Sequence, residues 1–374
     1  MPQYAQSVAN QQTPPPYHFP DIAAKAFLID VRMDTVQSYC DTFFNLGKAE
    51  ERGFVYGPLA VFPYALLMVI RYPMMLNANR TVLGYRGLPF ADRGYASQNE
   101  VFLAVPVLRR GVGGARVLLD LSVEWALPFI VVNNSTSAFS GREILGLKKL
   151  WGEIDLGTGI YPGGFSAEVR LPGWPSLDPD AVQTMMSFVT IETGTPLPSV
   201  GRRSAVASPW TALQSPLILK AFELAAQLFD GANTLANGFI PNPMRLVSLK
   251  QFRDAADPHR AIYQALVSAR SRYYDVHQLQ LYNEQDVSIV IHPQGSFSEI
   301  AQLFTDQTNA AIPLSVQAAF AFRANLDFDE MRTLHTFKVD DDVCVQQPNQ
   351  PGAMLSPNLA PLWGLIDPQP RLSA

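Results

Sequence analysis

Short apolar stretches separated by glycine- and proline-rich turns follow one another through the middle of this chain. Their branched and aromatic side chains favour extended backbone, and the closely spaced turns leave little room for helices. We therefore expect a mainly antiparallel β (α+β) fold, with the sheet closed or half-closed into a β-barrel and with helices at its periphery. The strands that this pattern predicts cover residues 25–32, 54–71, 100–109, 115–123, 125–132, 165–171, 182–192, 245–252, 260–274 and 287–291.

A few segments have the residue spacing of helices. Residues 217–229, which follow Ser215-Pro216, carry a wide apolar face at helical spacing. Such a helix is either an insertion packed on the barrel or a lid or subunit-interface element. The other helices that we predict cover residues 35–44, 297–304 and 314–324.

The composition divides the chain into three parts. Residues 1–20 are polar and proline-rich, which predicts an extended arm. Residues 21–330 form the barrel domain, with insertions at about 72–98 and 197–244. Residues 331–374 hold many prolines and an acidic run, and we interpret them as a C-terminal extension.

The composition also limits the partners that this protein could have. Apolar residues make up 48% of the 374 residues and the formal net charge is -5, so we expect a large core and no nucleic-acid partner. Two cysteines, Cys40 and Cys344, suit a reducing compartment. No apolar run reaches the ~20 residues of a membrane helix, and no signal peptide is visible. We expect a cytoplasmic protein without a membrane partner.

The segment from residue 129 to residue 154 carries the most informative chemistry. An apolar run, Phe129-Ile130-Val131-Val132, is followed by a polar turn and then by Gly141-Arg142-Glu143. The largely apolar residues Ile144-Leu145-Gly146-Leu147 come next, and two adjacent lysines, Lys148 and Lys149, follow them. A lysine forced among apolar side chains has a lowered pKa and becomes a nucleophile for carbonyl carbon. Alternatively, both lysines reach solvent from an ordinary strand end.

This segment resembles the active-lysine segment of the acetoacetate decarboxylase family. In that family, G-R-E is followed by three residues, an aromatic residue, Pro and then Lys-Lys. A second stretch, from Asn99-Glu100 to Pro106-Val107, resembles the strand in which the family's catalytic glutamate precedes an apolar run. Looser matches begin near residue 24 and end near residue 305. The family's fold is a barrel-like antiparallel sheet with the lysine pointing inwards, and its members suggest a homo-oligomer.

The resemblance implies roles for three residues. In the ungapped alignment, Lys149 falls on the Schiff-base lysine, Lys148 on the family's proline, and Glu100 on the glutamate that moves protons. A one-residue gap would instead make Lys148 the nucleophile. Two other polar residues of the family's site are missing, because its arginine falls near Ala24-Lys25 and a glutamate falls on Pro63. These groups handle the carboxylate of a small keto acid, so acetoacetate itself is disfavoured as the substrate.

The remaining residues that we place at the site surround the lysines. We expect Arg142, Glu143, Leu147 and Trp151 to contact the substrate, although Arg142 and Glu143 could instead form an ion pair that fixes the turn. The apolar neighbours favour a substrate larger and less polar than acetoacetate. The five histidines are scattered, so we expect no metal site, and we expect no cofactor.

Two functions are consistent with these observations. The first is a lyase that forms a Schiff base with a keto acid or related carbonyl compound and then carries out decarboxylation, aldol or dehydration chemistry. The alternative is a non-catalytic barrel of the same fold that binds a small apolar ligand. The broken Pro-Lys-Lys pattern favours the alternative, whereas the spacing from Gly141 to Lys149 favours the lyase.

Overall fold

A computed structural model describes residues 12–60, 62–77, 95–113, 121–157, 163–176, 178–197, 244–293 and 311–337 of the chain. The strands are β1 (Tyr17–Asp30), β2 (Phe54–Pro58), β3 (Tyr64–Asn77), β4 (Tyr95–Gly111), β5 (Ser122–Ala126), β6 (Ile130–Val132), β7 (Lys149–Trp151), β8 (Glu153–Asp155), β9 (Phe165–Gly173), β10 (Thr184–Thr193), β11 (Met244–Arg253), β12 (Ala261–Tyr282), β13 (Val287–Ile291), β14 (Ile312–Pro313), β15 (Val316–Phe328) and β16 (Arg332–Thr336). The helices are α1 (Met33–Phe43), α2 (Ala49–Arg52) and α3 (Ser135–Glu143), and a 3₁₀ turn covers Glu284–Asp286.

Seven strands form a closed ring in the order β3, β1, β15, β12, β11, β5 and β4, because β4 pairs again with β3. Every neighbouring pair in the ring is antiparallel except β11 and β5. Strands β6 and β7 extend the sheet from β4. The mainly antiparallel β fold with few helices is thus confirmed for the described residues.

The central parts of β1 and β3 are buried on both faces, which explains their uninterrupted apolar sequences. In β1, every residue from Ile22 to Ile29 is buried, and alternate side chains point to opposite faces of the sheet. One set of side chains fills the inside of the ring, which also holds residues of α3 and β6. The other set forms an outer core. That outer core packs against α1 and against a second sheet with the strand order β14-β13-β10-β9-β8.

Several predicted elements agree with the structure. The helix at 35–44 corresponds to α1, and the stretch at 54–71 corresponds to β2 and β3. Two prolines interrupt that stretch, because Pro58 is the last residue of β2 and Pro63 comes directly before β3. Segments 217–229 and 297–304 lie outside the described residues, as do the chain from 338 onwards and most of the 72–98 insertion.

Two predicted elements are wrong. Residues 314–324 are not a helix, because 316–328 form strand β15. Its alanines alternate with aromatic residues, so both faces are small or apolar, and pairing with β1 and β12 outweighs the helix propensity of alanine. Residues 133–140 are not simply a polar turn, because helix α3 begins at Ser135. Asn134 caps this helix by accepting a 3.1 Å hydrogen bond from the backbone N–H of Ser137.

The sheet also extends beyond the expected limits of the barrel domain. Strand β16 (Arg332–Thr336) pairs with β12, so the ordered sheet continues past residue 330. At the other end, β1 begins at Tyr17, within the expected N-terminal arm. Among the described residues, no helix combines the length and the apolar character needed to span a membrane.

Candidate active site

Strand β7 positions one of the two lysines inside the ring. It runs parallel to β6, with Lys149 opposite Ile130, and helix α3 connects the two strands. Lys149 is buried and its amine contacts Glu100 of β4, whereas Leu150 is half-buried and Trp151, at the end of the strand, is exposed. Lys149 therefore points into the inner core, where its side chain is surrounded by other elements.

The amine of Lys149 has two hydrogen-bond partners inside the ring. Its Nζ lies 2.9 Å from Glu100 Oε2 and 2.9 Å from Ser137 Oγ. Lys149 is only 8% exposed and Glu100 only 7%. A buried lysine and a buried carboxylate compensate each other's charge, since either one alone would be costly to remove from water.

Gly141, the glycine of the Gly-Arg-Glu motif, is required by the close approach of the Lys149 side chain. A Cβ atom at this position would lie 2.3 Å from Lys149 Cδ and 2.9 Å from Cε. Any larger residue in this part of α3 would displace the lysine or the helix. The motif is therefore explained by packing, since its glycine forms the surface along which the lysine extends.

Glu100 is held by two further donors, one from the neighbouring strand β3 and one from its own strand β4. Tyr72 Oη donates a 3.1 Å hydrogen bond to Glu100 Oε1, and Gln98 Nε2 donates a 3.3 Å hydrogen bond to Oε2. Burial, and then the nearby charge of Glu100, hold the pKa of Tyr72 well above its usual range. Burial and the same charge also raise the pKa of Tyr273. Both phenols therefore stay protonated, and that of Tyr72 donates to the carboxylate.

A cavity of about 60 Å³ opens beside this lysine–carboxylate pair. Six of the seven ring strands contribute to its wall, which places it inside the ring. Most of the wall is apolar or aromatic, with polar groups concentrated around Lys149. The apolar part includes Phe19, Met75, Phe102, Leu147, Leu246 and Phe328.

The described end of the N-terminal arm lies next to this cavity. The backbone N–H of Thr13 donates a 2.7 Å hydrogen bond to Ser140 Oγ, and Tyr17 donates its hydroxyl to the carbonyl of Thr13. Asn77 Nδ2 donates a 2.8 Å hydrogen bond to the carbonyl of Pro14. Both Ser140 and Tyr17 line the cavity, so these contacts hold the arm against the cavity wall.

Lys148 faces the opposite side of the sheet. Its Nζ lies over the ring of Phe43 and 4.9 Å from the ring centroid of Tyr39, both on α1. These ring faces attract the ammonium group. The structure thus separates the two adjacent lysines, with Lys149 at the cavity and Lys148 against α1.

Of the four residues that the sequence placed beside the substrate, only Leu147 lines the cavity. Arg142 and Glu143 are exposed at the end of α3, and Trp151 is 47% exposed on β7. Arg142 Nη1 donates a 3.5 Å hydrogen bond to the carbonyl of Lys149, and Glu143 accepts one from Gln12. The placement of these three residues is corrected because α3 and β7 turn them outwards.

Three cavity residues were missed by the sequence analysis. Gln98 and Tyr72 contact Glu100, and Ser137 contacts Lys149. Gln98 could have been found, because it lies two residues before Glu100 and therefore on the same face of the strand. Ser137 could not have been found in this way, because its contact with Lys149 depends on the helix α3, which Asn134 caps, and the sequence had indicated a turn there.

A second lysine, Lys25, is buried on the other face of the ring. Its Nζ donates hydrogen bonds to Tyr282 Oη at 2.8 Å and to the carbonyl of Gly163 at 3.3 Å. It also lies 4.4 Å from the ring centroid of Phe165, a residue of the second sheet. Burial lowers the pKa of Lys25 to about 7. Because Lys25 points to the outer core, it does not replace the family's missing arginine at the cavity.

Metal-binding groups do not accumulate in the described part of the chain. No set of three or more histidine, cysteine, aspartate or glutamate residues there is arranged to hold a metal ion. Cys40, one of the two cysteines, is buried and free.

The ring, the second sheet and the inward-facing lysine define an acetoacetate decarboxylase-like fold. Acetoacetate decarboxylase from Legionella pneumophila matches with a TM-score of 0.53 and 12% sequence identity, over 90% of this chain and 93% of that chain. The enduracididine biosynthesis enzyme MppR matches with a TM-score of 0.50 and 13% identity, over 87% of this chain and 90% of that chain. No protein-family model matches the chain, and no curated protein matches it either. The resemblance seen in the sequence is thus confirmed as a likeness of fold.

Proposed function

We propose that this protein is a lyase in which Lys149 forms a Schiff base with a carbonyl substrate. The observation that carries the proposal is the buried Lys149 amine at the cavity, 2.9 Å from the Glu100 carboxylate and 2.9 Å from the Ser137 hydroxyl. An amine, a proton acceptor and a hydroxyl around one small cavity are the groups that imine formation requires. The shared fold with acetoacetate decarboxylase supports the same class of chemistry.

The residues at the cavity divide the steps of this reaction among them. Glu100 takes a proton from the Lys149 ammonium, and the free amine adds to the carbonyl carbon of the substrate. Glu100 then returns its proton to the hydroxyl of the adduct, which leaves as water, and the resulting iminium withdraws electrons from the neighbouring carbon. Glu100 can next remove a proton from that carbon or return one to it. Ser137 accepts a hydrogen bond from Lys149, so its own hydroxyl hydrogen is available to the substrate oxygen.

The substrate is a keto acid or a related carbonyl compound, and acetoacetate itself is disfavoured. In the alignment the family's arginine falls near Ala24-Lys25 and its glutamate on Pro63. The Lys25 side chain points to the outer core. The apolar wall of the cavity favours a less polar substrate. Decarboxylation, aldol and dehydration reactions all proceed through the same iminium. The homo-oligomeric state and the cytoplasmic location stay predictions, and light scattering after size exclusion tests the former.

The test is borohydride reduction in the presence of keto acids, ketones and aldehydes, followed by intact-mass analysis. Reduction converts an imine into a stable amine, so the protein gains the mass of the substrate. We expect an adduct in the parent protein and in Lys148→Ala, and none in Lys149→Ala. Loss of the adduct in Lys148→Ala alone would instead assign the chemistry to the lysine that contacts α1.

A non-catalytic protein that binds a small apolar ligand is the second candidate. The largely apolar wall of the cavity is the observation that favours it. Absence of any adduct across the whole panel, together with saturable binding of an apolar ligand, would replace the lyase proposal with this one.

A further inference from the structure

Gln98 has one hydrogen-bonding atom that the protein leaves unused. Its side chain lines the cavity and the residue is only 4% exposed. The amide nitrogen donates to Glu100, but the amide oxygen, Oε1, has no hydrogen-bond partner among the described residues. A buried carbonyl oxygen without a donor costs free energy, so a donor supplied by a bound molecule would relieve this cost.

The orientation of the amide follows from its neighbour. A carboxylate only accepts hydrogen bonds, so the NH₂ group of Gln98 must face Glu100, and rotating the amide would bring two acceptors together. The oxygen is therefore directed away from Glu100. The unused group at this place in the cavity wall is consequently an acceptor, and it requires a donor.

The charges at the cavity indicate what kind of donor fits. Among the described residues of its wall, Lys149 is the only cation, and Glu100 already pairs with it. A carboxylate on the ligand would be the second one beside Lys149, after Glu100, and would find no unpaired cation in the described wall. A carboxylate also could not donate a hydrogen bond to Gln98. An ammonium group on the ligand would lie close to Lys149 and be repelled. A neutral hydroxyl is the donor that avoids both costs.

We propose that the substrate is an α- or β-hydroxy ketone or aldehyde whose hydroxyl group donates to Gln98 Oε1 while its carbonyl carbon reacts with Lys149. This inference rests on the proposed function of Lys149. The two side chains contact the same oxygen, Glu100 Oε2, at 3.3 Å from Gln98 Nε2 and 2.9 Å from Lys149 Nζ. Lys149 and Gln98 are therefore close neighbours, and a hydroxyl one or two carbons from the carbonyl suits this arrangement.

The experiment compares matched pairs of ketones in the trapping assay. Hydroxyacetone is compared with acetone, and 4-hydroxybutan-2-one with butan-2-one, by the concentration that gives half-maximal borohydride adduct. The measured quantity is the preference for the hydroxylated member in the parent protein, divided by the same preference in a variant. This double ratio cancels the intrinsic reactivity of each carbonyl group. The variant is Gln98→Met, which keeps the length of the side chain and removes the acceptor.

Gln280 provides the matched control. Its amide oxygen also lacks a partner among the described residues, but Gln280 is absent from the described cavity wall. We expect the preference for the hydroxylated ketone to fall about five-fold in Gln98→Met, which is the effect of one hydrogen bond, and to stay constant in Gln280→Met. If Gln98→Met does not fold, Gln98→Asn withdraws the acceptor by one methylene group and should lower the same ratio.

The outcomes separate this inference from the function on which it rests. Adducts that form with an unchanged ratio in Gln98→Met and Gln98→Asn would overturn the role of Gln98 and leave Schiff-base formation intact. A complete lack of adducts with all four ketones would overturn both. An equal fall in the Gln280→Met control would show that the effect is not specific to the cavity, and would also overturn the inference.

Discussion

Lys149 and Lys25 are both buried lysines of the same sheet, Lys25 in the ring and Lys149 in its extension, but they lie on opposite faces of that sheet. Lys149 meets a carboxylate and a hydroxyl beside a cavity. Lys25 meets a phenol, a backbone carbonyl and the face of an aromatic ring, under the second sheet. Burial alone therefore does not decide whether a lysine borders a cavity.

The difference lies in what surrounds each amine. Burial lowers the pKa of Lys25 to about 7, so a substantial fraction is uncharged at neutral pH. Yet Lys25 is only 1% exposed and is enclosed by its aromatic neighbours. The amine of Lys149, in contrast, borders a cavity that can hold a ligand. It also contacts the Glu100 carboxylate, which can accept a proton. A reactive site of this kind requires room and a proton acceptor in addition to an uncharged amine.

The largest expected effect is the complete loss of borohydride adduct in Lys149→Ala beside its full retention in Lys25→Met. The reason is that only the first amine borders the cavity. Peptide mapping of the adduct formed by the parent protein checks this directly. Circular dichroism confirms that both variants are folded. Label on the peptide that contains Lys25 would reverse the comparison.

Next in size is the effect of Glu100→Gln on proton transfer. We expect the exchange of the substrate protons next to the carbonyl, followed by NMR in deuterated water, to slow by about 10²–10⁴-fold. Trapping of the imine should decrease less, because Lys149 remains in place. Glu124, a buried glutamate 2.8 Å from Tyr56 Oη and outside the described cavity wall, provides the control. Equal slowing in Glu124→Gln would show that Glu100 has no special part.

A smaller effect is expected from Gly141→Ala. The new methyl group would lie 2.3 Å from Lys149 Cδ, so the amine must move. We expect adduct formation to slow about 100-fold, as a displacement of about 1 Å commonly does. The free energy of unfolding should change by less than this loss of rate implies. The reason is that the higher helix propensity of alanine, about 1 kcal/mol over glycine, offsets part of the cost of the contact with Lys149.

Gly164 is the control for that substitution, and it lies next to Gly163 on the side of Lys25. A Cβ atom there would find its nearest neighbour at 3.4 Å, an ordinary contact. Gly164→Ala should therefore leave the rate of adduct formation unchanged. An unchanged rate in Gly141→Ala as well would mean that the packing of Lys149 against α3 is not needed for its reactivity.

The smallest effect concerns Lys25 and the pH dependence of stability. Its pKa is about 7 in the folded protein and near 10.5 when unperturbed, so between these values the unfolded chain binds more protons. The free energy of unfolding of the parent relative to Lys25→Met should therefore rise with pH from about 7 to 10. The slope is at most about 1.4 kcal/mol per pH unit. Below about pH 7 both states are protonated and the difference should be flat.

Urea denaturation at a series of pH values measures this difference. Lys48, whose side chain is 79% exposed, supplies the control, and Lys48→Met should show no such slope. A flat difference for Lys25→Met across the same range would mean that Lys25 keeps its proton in the outer core. The contrast between the two buried lysines would then be one of surroundings without any difference in charge.

The sequence predicted the parts of this molecule that depend on local patterns. Apolar runs and turn residues predicted the antiparallel sheet, and the spacing from Gly141 to Lys149 singled out the two lysines without deciding which of them faces the ring. Strand β15 was missed because alternating alanine and aromatic residues resemble a helix until both faces are known to be buried. Ser137 was missed because its importance depends on a contact with Lys149 that forms only when residues 135–143 are helical, whereas Gln98 lies close enough to Glu100 in sequence to have been found.

The orientation of the two adjacent lysines shows what neither residue type nor spacing could decide. The odd or even position of a residue in β7 determines whether it faces the ring or α1. An insertion of one residue between 144 and 147 that shifts β7 by one position would place Lys148 where Lys149 now faces the ring. Lys149 would then face the opposite side of the sheet. A deletion of one residue would bring Leu150 inside, and no amine would face the cavity from β7. The pair of lysines would therefore keep an amine at the cavity after the insertion but not after the deletion.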